Sequence, residues 1–240
     1  MFCPVCSSLA LKCVAVERGD DGNDSDAFLG WCSNCDLHFS PRIVGYDAGQ
    51  DVKLQQTVNV AHYKAAFRNK NFDTEMEVYY GIIAKFVPFL SRRDKFVEIG
   101  VGLGMLTRTA SSLFQIVHGL DFEIDTAIES GPVPSNVYFQ LHSAYLATAT
   151  SIDALCAWHV VEHLARPHET LWPLFSRMPI GAAFFGQVPL FRNEYVMKAH
   201  YVFYSERAII TLCKAYGFRP VYLERDEVNN FLSFCFRKWV

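Results

Sequence analysis

The sequence predicts an α/β chain, a doubly wound and mostly parallel sheet preceded by a small cysteine-stapled segment. Three observations carry this. From Lys95 onward, short β-branched and aromatic runs alternate with stretches of helical period. One of those runs leads through a Gly-rich turn into a helix. The residues before Gly45 hold two C-x-x-C pairs among few apolar side chains.

The elements follow in order. Met1–Pro41 has short strand-like pieces around the cysteine pairs. "RGDDGNDSDAFLG" between them is polar and rich in Gly and Asp, and reads as a loop. Its glycine falls too early after the first aspartate for a calcium loop. Residues 46–90 form a helical linker or lid region. Tyr63 and Phe67 sit at helical spacing there, and Asp73 or Thr74 can cap a helix in which Met76, Tyr79, Tyr80, Ile83 and Phe86 follow a helical period. "KFVEIGVGLGMLTRTASSLF" is a strand, turn and helix, and "QIVHGLDF" is a second strand running into a helix. "NVYFQLH", "SIDALCAWHV" and "AAFFGQVPL" supply three more strands. "AIITLCKAYGF" is a helix stopped by Gly217, and "RPVYLERD" and "NNFLSFCFRKWV" are two last strands. Such alternation builds a mostly parallel sheet over residues 91–240.

Composition limits the function classes. With 240 residues, 51% of them hydrophobic, the chain can bury a large core. The net charge is -3, and before Gly45 three basic side chains face six acidic ones. That balance disfavours a nucleic-acid partner. No apolar run is long enough to span a membrane. The opening "MFCPVC" has neither a basic nor an apolar leader region, so the eight cysteines are expected in a reducing, cytoplasmic compartment.

Cys3 and Cys6, then Cys32 and Cys35, form two knuckles 25 residues apart. Four thiolates at this spacing can wrap one structural zinc ion, which a segment so poor in apolar residues needs in order to fold. Cys13 is a spare, and Cys156, Cys213 and Cys235 lie in apolar runs expected in the core.

The turn "VEIGVGLGM" carries Glu98, Gly100, Gly102 and Gly104. Its spacing is neither the dinucleotide fingerprint nor a Walker phosphate loop. Asp121 ends the next strand, 21 residues after Gly100, where an acid can accept both hydroxyls of a ribose. Phe122 follows it. Glu98 would oppose a diphosphate but suits a cationic or amino-acid ligand.

With "EIGVGLG", "GLD", "IDALCAWHVVEHLARP" and "KAYGF" in this order, the chain resembles the class I S-adenosylmethionine-dependent methyltransferases over Asp73 to Val240. The resemblance implies a Rossmann-like, seven-stranded sheet and S-adenosylmethionine as cofactor. It places Glu98, Gly100, Gly102, Gly104, Asp121 and Phe122 around that cofactor. "HVVEHLARP" becomes the loop and helix start after the fourth strand, with Glu162 and His163 bracing it and His159 facing the cofactor or the acceptor. The order H-x-x-E-H differs from the H-E-x-x-H of zinc proteases, so no metal is expected on this stretch.

The ribbon "CPVC…WCSNCDLHFSP" is similar to that of methyltransferases acting on sugars, nucleotide-sugars or glycans, with Asp36 where glycine is usual. "NEYVMKAHYVFYS" resembles their E-H-x-x-Y-F-S segment, which implies His200 as the catalytic base and His159 as its rival. Ala199 stands where the preceding glutamate is usual, and Tyr195, Tyr201 and Tyr204 are candidates to line an acceptor pocket. The expected partner is therefore a small-molecule or glycan acceptor, with O- or C-methylation both open. An RNA methyltransferase using the ribbon, a small natural-product O-methyltransferase and a non-turnover scaffold are the alternatives. The intact Gly-rich turn and Asp121 argue against the scaffold.

Overall fold

The computed structural model of the chain describes residues 2–9, 11–16, 28–46, 72–148, 150–192, 195–197 and 199–240. The polar loop expected between the cysteine pairs lies outside the described residues over 18–27, as do Tyr63 and Phe67. The chain forms two compact units. One comprises Met1–Tyr46, Trp158–Phe175 and Gly186–Val240, and the other Asp47–Ala157 and Ser176–Phe185.

The strands are β1 (Leu11–Ala15), β2 (Phe28–Cys32), β3 (Leu37–Phe39), β4 (Lys95–Ile99), β5 (Ile116–Asp121), β6 (Val137–Leu141), β7 (Ala154–Trp158), β8 (Ala183–Pro189), β9 (Val202–Phe203), β10 (Phe218–Asp226) and β11 (Phe231–Lys238). The helices are α1 (Phe72–Phe86), α2 (Met105–Ala110), α3 (Asp125–Glu129), α4 (His142–Thr148), α5 (Pro167–Phe175) and α6 (Glu206–Lys214). Seven strands make a Rossmann-like mixed sheet in the order β10-β11-β8-β7-β4-β5-β6, and four make a second sheet, β1-β2-β3-β9.

In the second unit β4 is central. It pairs in parallel with β5 on one side and β7 on the other. Its residues Phe96, Val97, Glu98 and Ile99 are all buried, as expected of a strand covered on both faces. Asp153 pins its start by accepting from the amides of Asp94 (3.1 Å) and Lys95 (3.0 Å). Phe96 and Phe86 both pack against Phe185. The helix expected from Asp73 or Thr74 already begins at Phe72, so both residues lie inside its first turn rather than capping it.

In the first unit β10 and β11 pair antiparallel, with a bulge between Pro220 and Tyr222. α6 starts where Ser205 accepts a hydrogen bond from Ala208 N at 3.1 Å, and it buries Ala208, Ile209, Leu212 and Cys213. Gly217 follows it with φ +78°. The four-stranded sheet of this unit combines the ribbon with β9, which pairs His38 with Phe203 and Phe39 with Val202. Val16, Leu29, Val196 and Phe203 form a small core between them. Among the described residues no helix is long and apolar enough to cross a membrane.

Candidate functional site

The Gly-rich turn of the second unit joins β4 to α2. Gly100, Gly102 and Gly104 all have positive φ, at 72°, 52° and 71°. Glycine is required most clearly at position 104. A Cβ there would lie 2.6 Å from both Arg108 Nη1 and Phe139 Cζ. Asp121 closes the turn from the end of β5. One of its carboxylate oxygens accepts from Gly102 N at 3.4 Å and the other from Phe122 N at 2.7 Å. Burial pushes its carboxyl above the usual range, against the pull of the amides of Phe122, Gly102 and Glu123. The Phe122 side chain is half exposed beside it.

Glu98 is buried under the same turn and accepts a hydrogen bond from the hydroxyl of Thr107. Burial pushes its pKa up to about 8, and the nearby Asp121 adds to the effect while Thr107 opposes it.

The first unit carries the histidines. His159 leaves β7 with φ +53°. Its Nε2 lies 2.8 Å from Gln187 Oε1, and Gln187 donates in turn to Ser233 Oγ at 2.8 Å. Its Nδ1 lies 3.4 Å from Glu162 Oε1. Glu162 is 1% exposed, and its other carboxylate oxygen is buried with no hydrogen-bond partner among the described residues. Burial pushes its pKa up, but the His159 contact and the neighbouring His163 and His200 outweigh this and leave it below the usual value.

His163 and His200 stack edge to face with ring centroids 4.8 Å apart. His200 Nδ1 donates to Tyr195 O at 2.8 Å, and His163 Nδ1 to Ala199 O at 2.8 Å. Burial, reinforced by His163, lowers the pKa of His200 to about 4, so the ring is neutral at physiological pH.

The segment bearing His200 is held from the ribbon side. Arg42 donates to His200 O at 3.1 Å and its guanidinium lies 5.1 Å from the Tyr201 ring centroid. Ser40 N donates to Tyr201 O at 2.8 Å. Tyr201 and Tyr204 are buried, and the Tyr195 hydroxyl donates to Asn229 O.

The four ribbon cysteines converge. Their sulfurs lie within 4.8 Å of one another, with Cys3–Cys35 and Cys6–Cys32 both 3.5 Å apart. A tetrahedral zinc ion with bonds of about 2.3 Å separates its sulfurs by about 3.8 Å, so the set fits that ion. Asn34 donates to Cys6 Sγ at 3.4 Å. Ser7 and Asp36 follow the two knuckles with φ 57° and 62°. Asp36 therefore holds the left-handed position where glycine was expected, with its carboxylate tied to Trp31 Nε1 at 2.9 Å. The hydrogen bond between the Cys35 and Cys3 thiols pulls the Cys3 thiol down to about 5, against the effect of burial. Cys156, Cys213 and Cys235 are buried and Cys13 is exposed.

A family model described as a methyltransferase domain matches residues 67–223. The chain belongs to the methyltransferase-domain family. Solved structures agree on the fold of this methyltransferase. The DhpI–S-adenosylhomocysteine complex superposes with a TM-score of 0.59 at 18% identity, covering 80% of this chain and 99% of that one. Magnesium protoporphyrin IX methyltransferase from Synechocystis PCC 6803, with bound S-adenosylhomocysteine, gives 0.58 at 11% identity, covering 78% and 97%. The amino pentose methyltransferase CalS10 from Micromonospora echinaspora gives 0.55 at 13% identity, covering 75% and 96%. No curated protein sequence matches the chain. The enzyme is thus a methyltransferase of the S-adenosylmethionine-dependent class.

Two features of this methyltransferase are absent from the sequence reading. Arg108 is buried, and its guanidinium donates to the carbonyls of Leu103 (2.8 Å), Ala127 (2.6 Å), Pro132 (2.9 Å) and Gly131 (3.0 Å). It sews the Gly-rich turn to the loop after α3. The other feature is the convergence of Glu162, His163 and His200, which no single stretch of sequence displays.

Proposed function

We propose that the enzyme transfers the methyl group of S-adenosylmethionine to a hydroxyl or acidic carbon of a sugar, nucleotide-sugar or glycan. The observation that carries the cofactor half is the closure of the Gly-rich turn by Asp121. Its carboxylate stands at the end of a parallel strand, beside three positive-φ glycines, and retains lone pairs for the hydroxyls of a ribose. Glu98 lies beneath and gains a partner when a cationic amino-acid moiety is bound. S-Adenosylmethionine and S-adenosylhomocysteine carry the cationic amino group that such a carboxylate can pair with, and lack the diphosphate of a dinucleotide.

Bound S-adenosylmethionine supplies an already activated methyl group, so the chain mainly has to orient an in-line displacement. A hydroxyl acceptor also needs its proton removed. His200 suits this task because its Nδ1–H is committed to Tyr195 O, which leaves Nε2 as the lone-pair acceptor. The zinc ion fits the four-cysteine set and would act by holding the ribbon together. The sugar class is supported by the ribbon motif and the His200 segment, and by the described acceptor of CalS10, an amino pentose. The acidic ribbon disfavours RNA as the alternative acceptor.

Two measurements test the reading. Calorimetric titration with S-adenosylmethionine should give binding to the native chain and none to a folded Gly102→Val variant. Mass spectrometry of nucleotide-sugar and glycan pools, incubated with cofactor labelled on the methyl group, should show label on a sugar. Label appearing only on RNA would overturn the acceptor class.

A further inference from the structure

We propose that Glu162, His163 and His200 form a second metal site, one that takes a divalent transition-metal ion. The proposal deepens the reading of His200 as a base, because it concerns the same nitrogen. A carboxylate oxygen of Glu162 and one ring nitrogen of each histidine lie within 4.8 Å of one another. Both Nδ1 atoms are already committed to the backbone carbonyls of Ala199 and Tyr195, so the nitrogens left over are the two Nε2 atoms. Neutral imidazole offers a lone pair there and no proton. Glu162 adds a carboxylate oxygen, Oε2, that is buried without a hydrogen-bond partner among the described residues. The residues that converge thus offer two imidazoles and a carboxylate oxygen.

A buried acceptor left without a partner is costly. A cation satisfies it and can take a ring nitrogen of each histidine as well. Two imidazoles and one carboxylate are the ligand types of Zn²⁺, Co²⁺, Ni²⁺ and Fe²⁺, whereas Mg²⁺ and Ca²⁺ prefer oxygen ligands throughout. Around a tetrahedral ion with bonds of about 2.1 Å the ligand atoms stand about 3.4 Å apart, so the widest separation here needs only a small inward turn of the side chains.

The surroundings match those of metal-bound histidines. Such a ring usually donates its other N–H to a carbonyl or carboxylate, which fixes the ring and its tautomer. His163 and His200 each do so at 2.8 Å. His159 plays the equivalent part for the carboxylate, with Nδ1 3.4 Å from Glu162 Oε1. The chain assembles the set from Glu162 and His163, in the tight turn Val161–His163, and from His200, brought alongside by the bond from Tyr201 N to Glu162 O at 2.9 Å. No motif of adjacent ligands announces it.

The ion would occupy the lone pair that the base role requires. Metal bound here should therefore inhibit methyl transfer, in contrast to the structural ion of the ribbon.

The test uses the full chain with its four-cysteine site already loaded with zinc. Titration with Co²⁺ should give one further ion per chain, with ligand-field absorption and none of the sulfur-to-metal charge transfer that a cysteine site would show. His163→Ala and Glu162→Gln should each weaken Co²⁺ binding beyond the roughly 10- to 100-fold that follows loss of an outer partner. A second readout protects against variants that fail to fold. In the native protein, Zn²⁺ should shift the Nε2 resonances of two histidines in an imidazole nitrogen spectrum and leave their Nδ1–H protons in place. No uptake beyond the ribbon zinc, or equal Co²⁺ affinity in a folded His163→Ala protein, would overturn the site. Inhibition by Co²⁺ that disappears in His163→Ala, whatever the basal rate of that variant, supports both halves of the inference. Activation by Co²⁺ would keep the site and overturn the reading of His200 as a base.

Discussion

His168 Nε2 lies 2.7 Å from Val5 O, so a side chain of α5 holds the backbone of the first cysteine knuckle. The ring is itself fixed, because its Nδ1 accepts from the hydroxyl of Tyr216 beyond α6. His168→Ala should leave Val5 O without this donor and cost about 1–2 kcal/mol in the first unit. Hydrogen exchange should show faster opening of residues 3–8. Unchanged exchange there would show that the cysteine set alone fixes the knuckle.

Gly104→Ala should destabilise the second unit by about 2–4 kcal/mol, combining a left-handed backbone with overlap on Arg108 and Phe139. Gly81→Ala is the control. It lies in α1 with open space around it, and should be neutral or stabilise by up to about 1 kcal/mol. Urea unfolding of both variants compares them.

Glu98 predicts a pH dependence of fixed sign. Its folded value, about 8, is above the ordinary 4.5, so the folded chain keeps a proton that the unfolded chain releases between these values. This contribution to stability is fully present below pH 4.5, falls as pH rises across that window and is gone above about 8. Glu98→Gln should remove that slope. S-Adenosylmethionine carries positive charge and favours the carboxylate, so its binding near neutral pH should expel a proton. Calorimetry in buffers of different ionisation enthalpy reads this directly.

Elemental analysis of native protein should give one zinc ion attributable to Cys3, Cys6, Cys32 and Cys35. Cys32→Ser should lose it and loosen β2 and β3. The residues proposed to hold the cofactor lie in the other unit, and affinity for S-adenosylmethionine should hold. Zinc retained at native stoichiometry in Cys32→Ser would contradict the assignment of these ligands.

His200→Ala should slow single-turnover methyl transfer by about 100- to 10,000-fold with cofactor saturating, and leave cofactor affinity near native. His159→Ala should cost less, since His159 is bound to Gln187 and Glu162 at both ring nitrogens. The reverse order would move the base to His159. Full activity in both would mean that orientation alone carries the reaction.

The sheet was legible because its strands are short apolar runs bounded by turn residues, as in Phe96–Ile99 and Ala154–Ala157. The Gly-rich turn was legible for a local reason too, since three glycines in five residues have few other uses between a strand and a helix. β9 was not, because it is only two residues long and exists through its partner β3. The role of Arg108 was not legible, since nothing local shows four carbonyls folding over it. Glu162 and His163 read as supports of a helix start, because His200, which completes the cluster, lies 37 residues after His163 and arrives only through tertiary pairing. The start of α1 was misplaced by a residue or two because Asp73 and Thr74 suit a first turn as well as a cap.

The pairing of β3 with β9 bears on how such a chain can be edited, by experiment or by descent. The N-terminal cysteine segment is not an interchangeable module. Cutting it away at Tyr46 would expose the edge of Val202 and Phe203, and would remove Ser40 and Arg42 from the backbone of Tyr201 and His200. Swapping in a ribbon from another source would have to reproduce a two-residue register against β9. Selection on the segment that carries His200 therefore extends to residues more than 150 positions earlier, and a tolerated change at Phe39 or Arg42 would call for an answering change between Tyr195 and Tyr204.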